Sequence, residues 1–287
     1  MSEYNISLIN FDGLGEIAVA LIEKISSAIG WVVTRETPKR VAIQSFVESI
    51  KESDMDPITK AALISQANAI IKGYCNQGII LQNAINNLHD TARPKDVDND
   101  WISQFMDKAR LVSDPEFQLI WGRILAEECN IPGFVPKGLL HTLEKMDRND
   151  AEQFTMLCSF SVYVVDNGVR NYSPIIIKKY LSGFDSYYQS HGIGFDDLVN
   201  LKALGLIEMS VDYFSPGDYR AKFNASPIDV RYHDKHYCLP EDCEVLPVGN
   251  VILTKTGQAL CRAIEVDEQE GFFEQYCIPY WKQIIGK

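Results

Sequence analysis

A mostly α chain with a smaller α+β part is what the sequence predicts, and three observations carry that prediction. Apolar residues recur at steps of three and four through most of residues 14–162, the period of helices with one buried face. Prolines and side-chain capping residues punctuate these runs at helix-length intervals. From residue 171 the texture changes to strand formers alternating with helices: NYSPIII, then FDDLVNLKALGLIEM, then VILTKTGQAL. A helix that ends at Leu-Gly-Leu-Ile and feeds a strand, followed by a strand that turns into a helix, suits the order of a winged helix. The expected architecture is therefore an N-terminal amphipathic helical region over 1–97, a central helical module over 98–170, and a C-terminal winged-helix-like module with a closing helix over 171–287.

In chain order, Leu14, Ile17, Ala18, Leu21, Ile22, Ile25, Ile29 and Val32 form the first stripe, with Asp12 available as its cap. A membrane-surface helix would carry Lys and Arg on its polar face, whereas this one offers Glu16, Glu23 and Lys24. Docking of residues 14–33 on protein is expected over docking on a membrane surface. After Thr37-Pro38 a second stripe runs through Val41, Phe46, Val47 and Ile50. Pro57 opens a third through Leu63, Ile64, Ala67, Ile70 and Ile71. The polar stretch from His89 to Asp100, with Pro94 inside it, reads as a linker.

Beyond it, Trp101, Phe105 and Ala109 share one side of a short helix. Ser113 and Glu116 stand at capping-box spacing before Phe117, Ile120, Trp121, Ile124 and Leu125, a helix that Asn130 and Pro132-Gly133 stop. Pro136 opens a helix through Leu139, Leu140, Leu143 and Met146. Asn149 with Glu152 caps the next, whose face is Phe154, Leu157, Cys158 and Val162. The closing segment GFFEQYCIPYWKQII is a helix interrupted or kinked at Pro279.

Composition narrows the function classes. The 287 residues hold 27 Lys and Arg against 39 Asp and Glu, a net charge of -12, so a phosphate backbone is repelled unless basic residues cluster. No basic run occurs. The seven cysteines are scattered and odd in number, and MSEYNISLIN lacks the pattern of a signal peptide, so reduced thiols in a cytoplasm are expected. No apolar run reaches the roughly 18 residues of a membrane span.

Candidate chemistry is sparse. RYHDKHYCLPEDC sets His233, His236, Cys238 and Cys243 close together with the ligand types of zinc, but a structural zinc usually draws two ligand pairs from separated elements, which favours an ordinary loop. Trp101 and Trp121 have core spacing rather than that of a ligand box. Glu127 and Glu128 are helix neighbours that point about 100 degrees apart, so a solvated helix end is expected for both. Asp196 and Asp197 suit a helix N-terminus. Gly13-Leu14-Gly15 lacks the strand and third glycine of a dinucleotide site, and no nucleophile elbow, phosphate loop or zinc-protease motif occurs. No catalytic, cofactor-binding or metal residue is assigned.

Four stretches together carry a resemblance: ALIEKISSAIGW, DWISQFMDKARLVSDPEFQLIWGRILAEE, PGFVPKGLLHTLEKMDRNDAEQF, and LKALGLI with ILTKTGQAL. They are similar to the bacterial family called domain of unknown function 2806, most specifically in the tryptophan-rich middle block. The resemblance implies an accessory or phage-defence role on mobile bacterial islands and brings no activity, cofactor or catalytic residue.

The function expected is that of a non-enzymatic interaction protein acting through a protein partner or a homo-oligomer. The second reading is a DNA-binding regulator using the winged helix. Charge weighs against it: residues 172–265 carry 9 Lys and Arg against 12 Asp and Glu, and the helix beginning Gly194-Phe195-Asp196-Asp197 has Lys202 as its only basic residue. Lys178, Lys179, Arg220, Lys222 and Arg231 are the residues from which a basic surface would have to be built.

Overall fold

The computed structural model describes residues 15–31, 40–177, 186–209, 219–223, 227–241, 243 and 245–285. Asp12, Leu14, Val32, Thr37-Pro38, Lys178 and Lys179 lie outside the described residues. The fold is mostly α with small antiparallel sheets, and the chain divides into two compact units, residues 1–135 and 136–287.

Among the described residues the regular elements of the first unit are all helical: α1 (Glu16–Ile29), α2 (Arg40–Glu52), α3 (Pro57–Ile85), a 3-10 turn (Pro94–Asp96), α4 (Asn99–Ala109) and α5 (Pro115–Asn130). The buried face of α1 is Ala18, Leu21 and Ile25, and the helix packs on α4 and the 3-10 turn. Pro57 stands at the start of α3 with Asp56 capping it, since a proline there forfeits no helical hydrogen bond. The expected stripe of α3 is only partly covered, with Ile70 exposed. Burial concentrates in the second half of the helix at Gly73, Asn76, Ile80, Leu81 and Ala84, where α5 crosses it. Gly122 makes that crossing close: a Cβ on it would stand 2.4 Å from the Asn83 Cβ.

The cap of α5 falls one residue later than the spacing predicts. Asp114, not Ser113, accepts the Glu116 and Phe117 N–H groups, because Pro115 takes the first helical position. The Ser113 hydroxyl instead accepts from Asn76 Nδ2 at 3.3 Å. Gln118, buried in the same seam, donates to Asn76 Oδ1 and to the Val112 carbonyl. Trp101 stacks on Phe105, which packs against Trp121, and both tryptophans are core residues as their spacing predicts. The polar stretch from His89 to Asp100 lies inside this unit and is tied to the end of α5. The Arg93 N–H donates to the Cys129 carbonyl, and the His89 N–H to Asn130.

Glu128 corrects the expectation of a solvated helix end. It is 2% exposed, and its two carboxylate oxygens accept the Gly133 and Val135 N–H groups at 2.7 and 2.8 Å. The turn after Asn130 has few backbone acceptors for those donors, and the carboxylate supplies them. Burial pushes the Glu128 carboxyl above its ordinary value, against the opposing pull of the two N–H groups.

The second unit opens with α6 (Lys137–Lys145) and α7 (Arg148–Ser159). The cap of α7 is Asp147, paired reciprocally with Asp150, rather than Asn149 with Glu152. The helix also stops earlier than expected. Val162 belongs to β1 (Ser161–Asp166), which turns at Asn167-Gly168, both with positive φ, into β2 (Val169–Pro174). There follow α8 (Ser186–Ser190), α9 (Phe195–Ala203), β3 (Ile207–Met209), β4 (Tyr219–Lys222), β5 (Asp229–Tyr232), β6 (Lys235–Cys238), β7 (Val245–Gly249), β8 (Val251–Leu253) and α10 (Lys255–Ala263). A π-helical turn (Phe273–Cys277) leads into α11 (Ile278–Ile285), the irregularity expected next to Pro279, which has no N–H to give.

The strands pair as β2-β1-β5-β6, β3-β8 and β4-β7, all antiparallel. The inner face of the four-stranded sheet, Val162, Val164, Val230 and Tyr232, is buried. The Tyr232 hydroxyl donates to the Ser159 carbonyl and accepts from the Gln269 N–H. Trp281 of α11 donates to the Pro247 carbonyl. The β3-β8 pair meets α10 at a tight junction. Thr254 caps α10 by accepting the Gly257 N–H and donates to the Gly205 carbonyl at 2.6 Å. A Cβ on Gly257 would lie 2.0 Å from the Leu206 carbonyl oxygen.

Two outcomes follow. Gly257→Ala must push α10 off the Leu206 carbonyl and is expected to cost about 1–3 kcal/mol of stability, seen as a lower urea midpoint, as overpacking does elsewhere. For Glu128, a raised folded-state pKa means that the folded protein holds the proton more readily than the unfolded chain. Its contribution is then fully present below the unfolded value and is lost as pH rises through the folded one. The stability of wild type minus that of Glu128→Gln should therefore shrink with rising pH across the carboxyl range in urea titrations. A gap that widens would show that the two N–H donors outweigh desolvation.

Candidate functional site

Two surfaces of the second unit gather the residues singled out in the sequence. The first is α9. Gly205, in the left-handed region at φ 75, ends the helical turn and delivers Leu206 into β3. Leu198 and Leu201 face inward, Asn200 donates to Asp150 at the start of α7, and the Thr142 hydroxyl donates to the Leu204 carbonyl. These contacts fix which side of α9 looks outward: Phe195, Asp196, Val199 and Lys202. Asp197 turns back to accept the Gly194 N–H at 2.6 Å, so one member of the Asp196-Asp197 pair is a cap at the helix N-terminus, in keeping with the sequence. Lys202 is paired with Glu208 of β3 at 3.0 Å.

The second surface is the β5-β6 hairpin, joined by a two-residue turn in which His233 has φ 51. In that register Asp229 lies opposite Cys238 and Arg231 opposite His236, so these four side chains share one face. The structure does not assemble the four residues of the sequence window. His233 is in the turn, and the Cys243 thiol donates to the Val245 carbonyl. Three residues do converge: His236 Nδ1 lies 3.2 Å from Asp229 Oδ1, and Cys238 Sγ lies 3.6 Å from the same oxygen. Arg231 Nε holds the other carboxylate oxygen of Asp229 at 2.9 Å.

Burial works against the Asp229 carboxylate, but hydrogen bonds from Arg231 and His236 hold it below its ordinary value. Desolvation and the neighbouring Asp229 carboxylate push the Cys238 thiol up. Asp229 was missed in the sequence because it enters from across the hairpin. The available signal was the period-two alternation on either side of His233-Asp234, Asp229 and Arg231 before it and His236 and Cys238 after it.

All seven cysteines are free thiols. Among the described residues no helix is long and apolar enough to cross a membrane. Gly13 and Leu14 lie outside the described residues, and Gly15 precedes α1 without a side-chain cap.

No curated protein and no solved structure matches the chain. A family model, described as a protein of unknown function (DUF2806), matches residues 72–277. That span takes in α5 with its tryptophan block, the α9 to β3 step and the β8 to α10 step, nearly all of the second unit and the C-terminal part of the first, and the chain belongs to this family.

Proposed function

We propose that the chain is a non-enzymatic interaction protein that works by binding another protein. The observation that carries this reading is the outward side of α9. Phe195 and Val199, one turn apart, are 41% and 45% exposed, with Asp196 beside them and the helix's one cation, Lys202, committed to Glu208. A helix that reads DNA sets polar and basic side chains on that side, because base edges need hydrogen bonds and flanking phosphates need charge. An apolar pair rimmed by acid suits a protein surface instead. An accessory role in bacteria, phage defence included, is the setting that the family resemblance suggests.

One observation favours the second reading, a DNA-binding regulator with a winged helix. α9 runs into β3, β3 pairs antiparallel with β8, and β8 turns directly into α10, which is the order such a module requires.

The two readings part on salt and on side chain. The full chain titrated against mixed-sequence duplex at low and moderate salt should show no binding in the micromolar range. Affinity-purified wild-type chain from nuclease-treated native cells should retain a protein that Val199→Asp loses, with the variant's far-UV spectrum unchanged. Micromolar or tighter DNA binding that weakens steeply with salt would overturn the protein-binding reading.

A further inference from the structure

We propose that Asp229, His236 and Cys238 form a zinc-binding site on the outer face of the β5-β6 hairpin, with three protein ligands and the fourth position open to solvent. Carboxylate, imidazole and thiolate are the donor types that zinc takes. Two of the three donor-to-donor spacings are those of ligands around one ion. Bonds of about 2.0–2.1 Å to nitrogen and oxygen and about 2.3 Å to sulfur, at the tetrahedral angle, put N···O at ~3.3 Å and S···O at ~3.5 Å. The hairpin presents 3.2 Å between His236 Nδ1 and Asp229 Oδ1, and 3.6 Å between Cys238 Sγ and that oxygen. All three donor atoms lie within 4.8 Å of one another.

The backbone holds this arrangement without help from the metal. A two-residue turn fixes the register, the pairing sets Asp229 opposite Cys238, and the strand period returns His236 to the same face. Arg231 completes the set. Its guanidinium takes Asp229 Oδ2 at 2.9 Å and leaves Oδ1 turned toward the other two donors, which is what an outer-shell partner does for a ligating carboxylate. His236 and Cys238 are exposed, so an ion reaches the site from solvent without opening the fold. On binding, the Cys238 thiol gives its proton to solvent and the sulfur enters as thiolate, while His236 enters as the neutral imidazole with its proton on Nε2 and Nδ1 free to ligate.

The test uses the full chain, reduced and stripped with a chelator, and cobalt(II) as the spectroscopic stand-in for zinc. Wild type should develop the visible bands of tetrahedral cobalt and a near-ultraviolet thiolate-to-cobalt band that saturate at one equivalent and disappear when zinc is added. Cys238→Ser should lose the thiolate band, and His236→Ala and Asp229→Asn should weaken binding. Cys243→Ser and His233→Ala, which lie outside the trio, should titrate like wild type. Because the trio and His233 sit on a hairpin surface or its turn, and Cys243 lies in the stretch between β6 and β7, far-UV spectra of the stripped variants should match wild type. No band in wild type, a thiolate band that survives Cys238→Ser, or one that is lost in Cys243→Ser would overturn the site.

Discussion

The second unit depends on one close approach, that of Gly257 to the Leu206 carbonyl. With no side chain at 257, the first turn of α10 sits directly on the backbone where α9 gives way to β3. Thr254 secures the contact from both sides, since its hydroxyl accepts the Gly257 N–H and donates to the Gly205 carbonyl. The pairing of Ile207 with Leu253 then follows from position. So does the orientation of α9, whose end is fixed at Gly205, and hence the outward direction of Phe195 and Val199. The LKALGLI and ILTKTGQAL stretches, far apart in the chain, are two halves of this single contact.

The first unit solves a different problem, that of polar groups enclosed among apolar helices. Asn76, Gln118 and Glu128 are all buried, and each spends its side chain on backbone groups that helix geometry leaves without partners. Asn76 and Gln118 take the carbonyls of Arg110 and Val112, where α4 has ended and α5 has not begun. Glu128 takes the donors of the turn that follows α5. An unpaired buried amide or carbonyl costs about 1–3 kcal/mol, so these side chains permit tight interhelix turns to lie inside the packed unit.

Helices were legible in the sequence wherever an apolar stripe and a proline agreed, as at Pro57, Pro115 and Pro136. The α9 to β3 and β8 to α10 steps were legible from the glycine and threonine that the junction uses. Exact caps were not. Asp114 and Asp147 compete with neighbours of equal capping ability, and only the helix phase decides between them. β1 was absorbed into the preceding helix because Val162 continues the stripe of α7, although Asp166-Asn167-Gly168 between β-branched runs marks the hairpin. Glu128 and Asp229 were missed for a shared reason: their partners lie within ten residues, but only the turn that folds the chain back, after α5 for Glu128 and at His233-Asp234 for Asp229, brings them together.

The distances along the chain between contacting groups have a consequence for how the molecule is made. Tyr172 exchanges backbone hydrogen bonds with the side chain of Gln258, 86 residues later, and Ser159 waits for Gln269, 110 residues later. In the first unit the seam between Asn76 and Ser113 spans 37 residues. Helical contacts of short span form early and fast, while pairings of long span must first close a large loop. On the ribosome the first unit can therefore consolidate while the second is still being synthesised. The second must keep one edge of β1 open until β5 is made and β3 unpaired until β8 is made, and it lacks the side chains of Gln258 and Gln269 until later still, which makes this interval the period in which the chain is most exposed to misassembly.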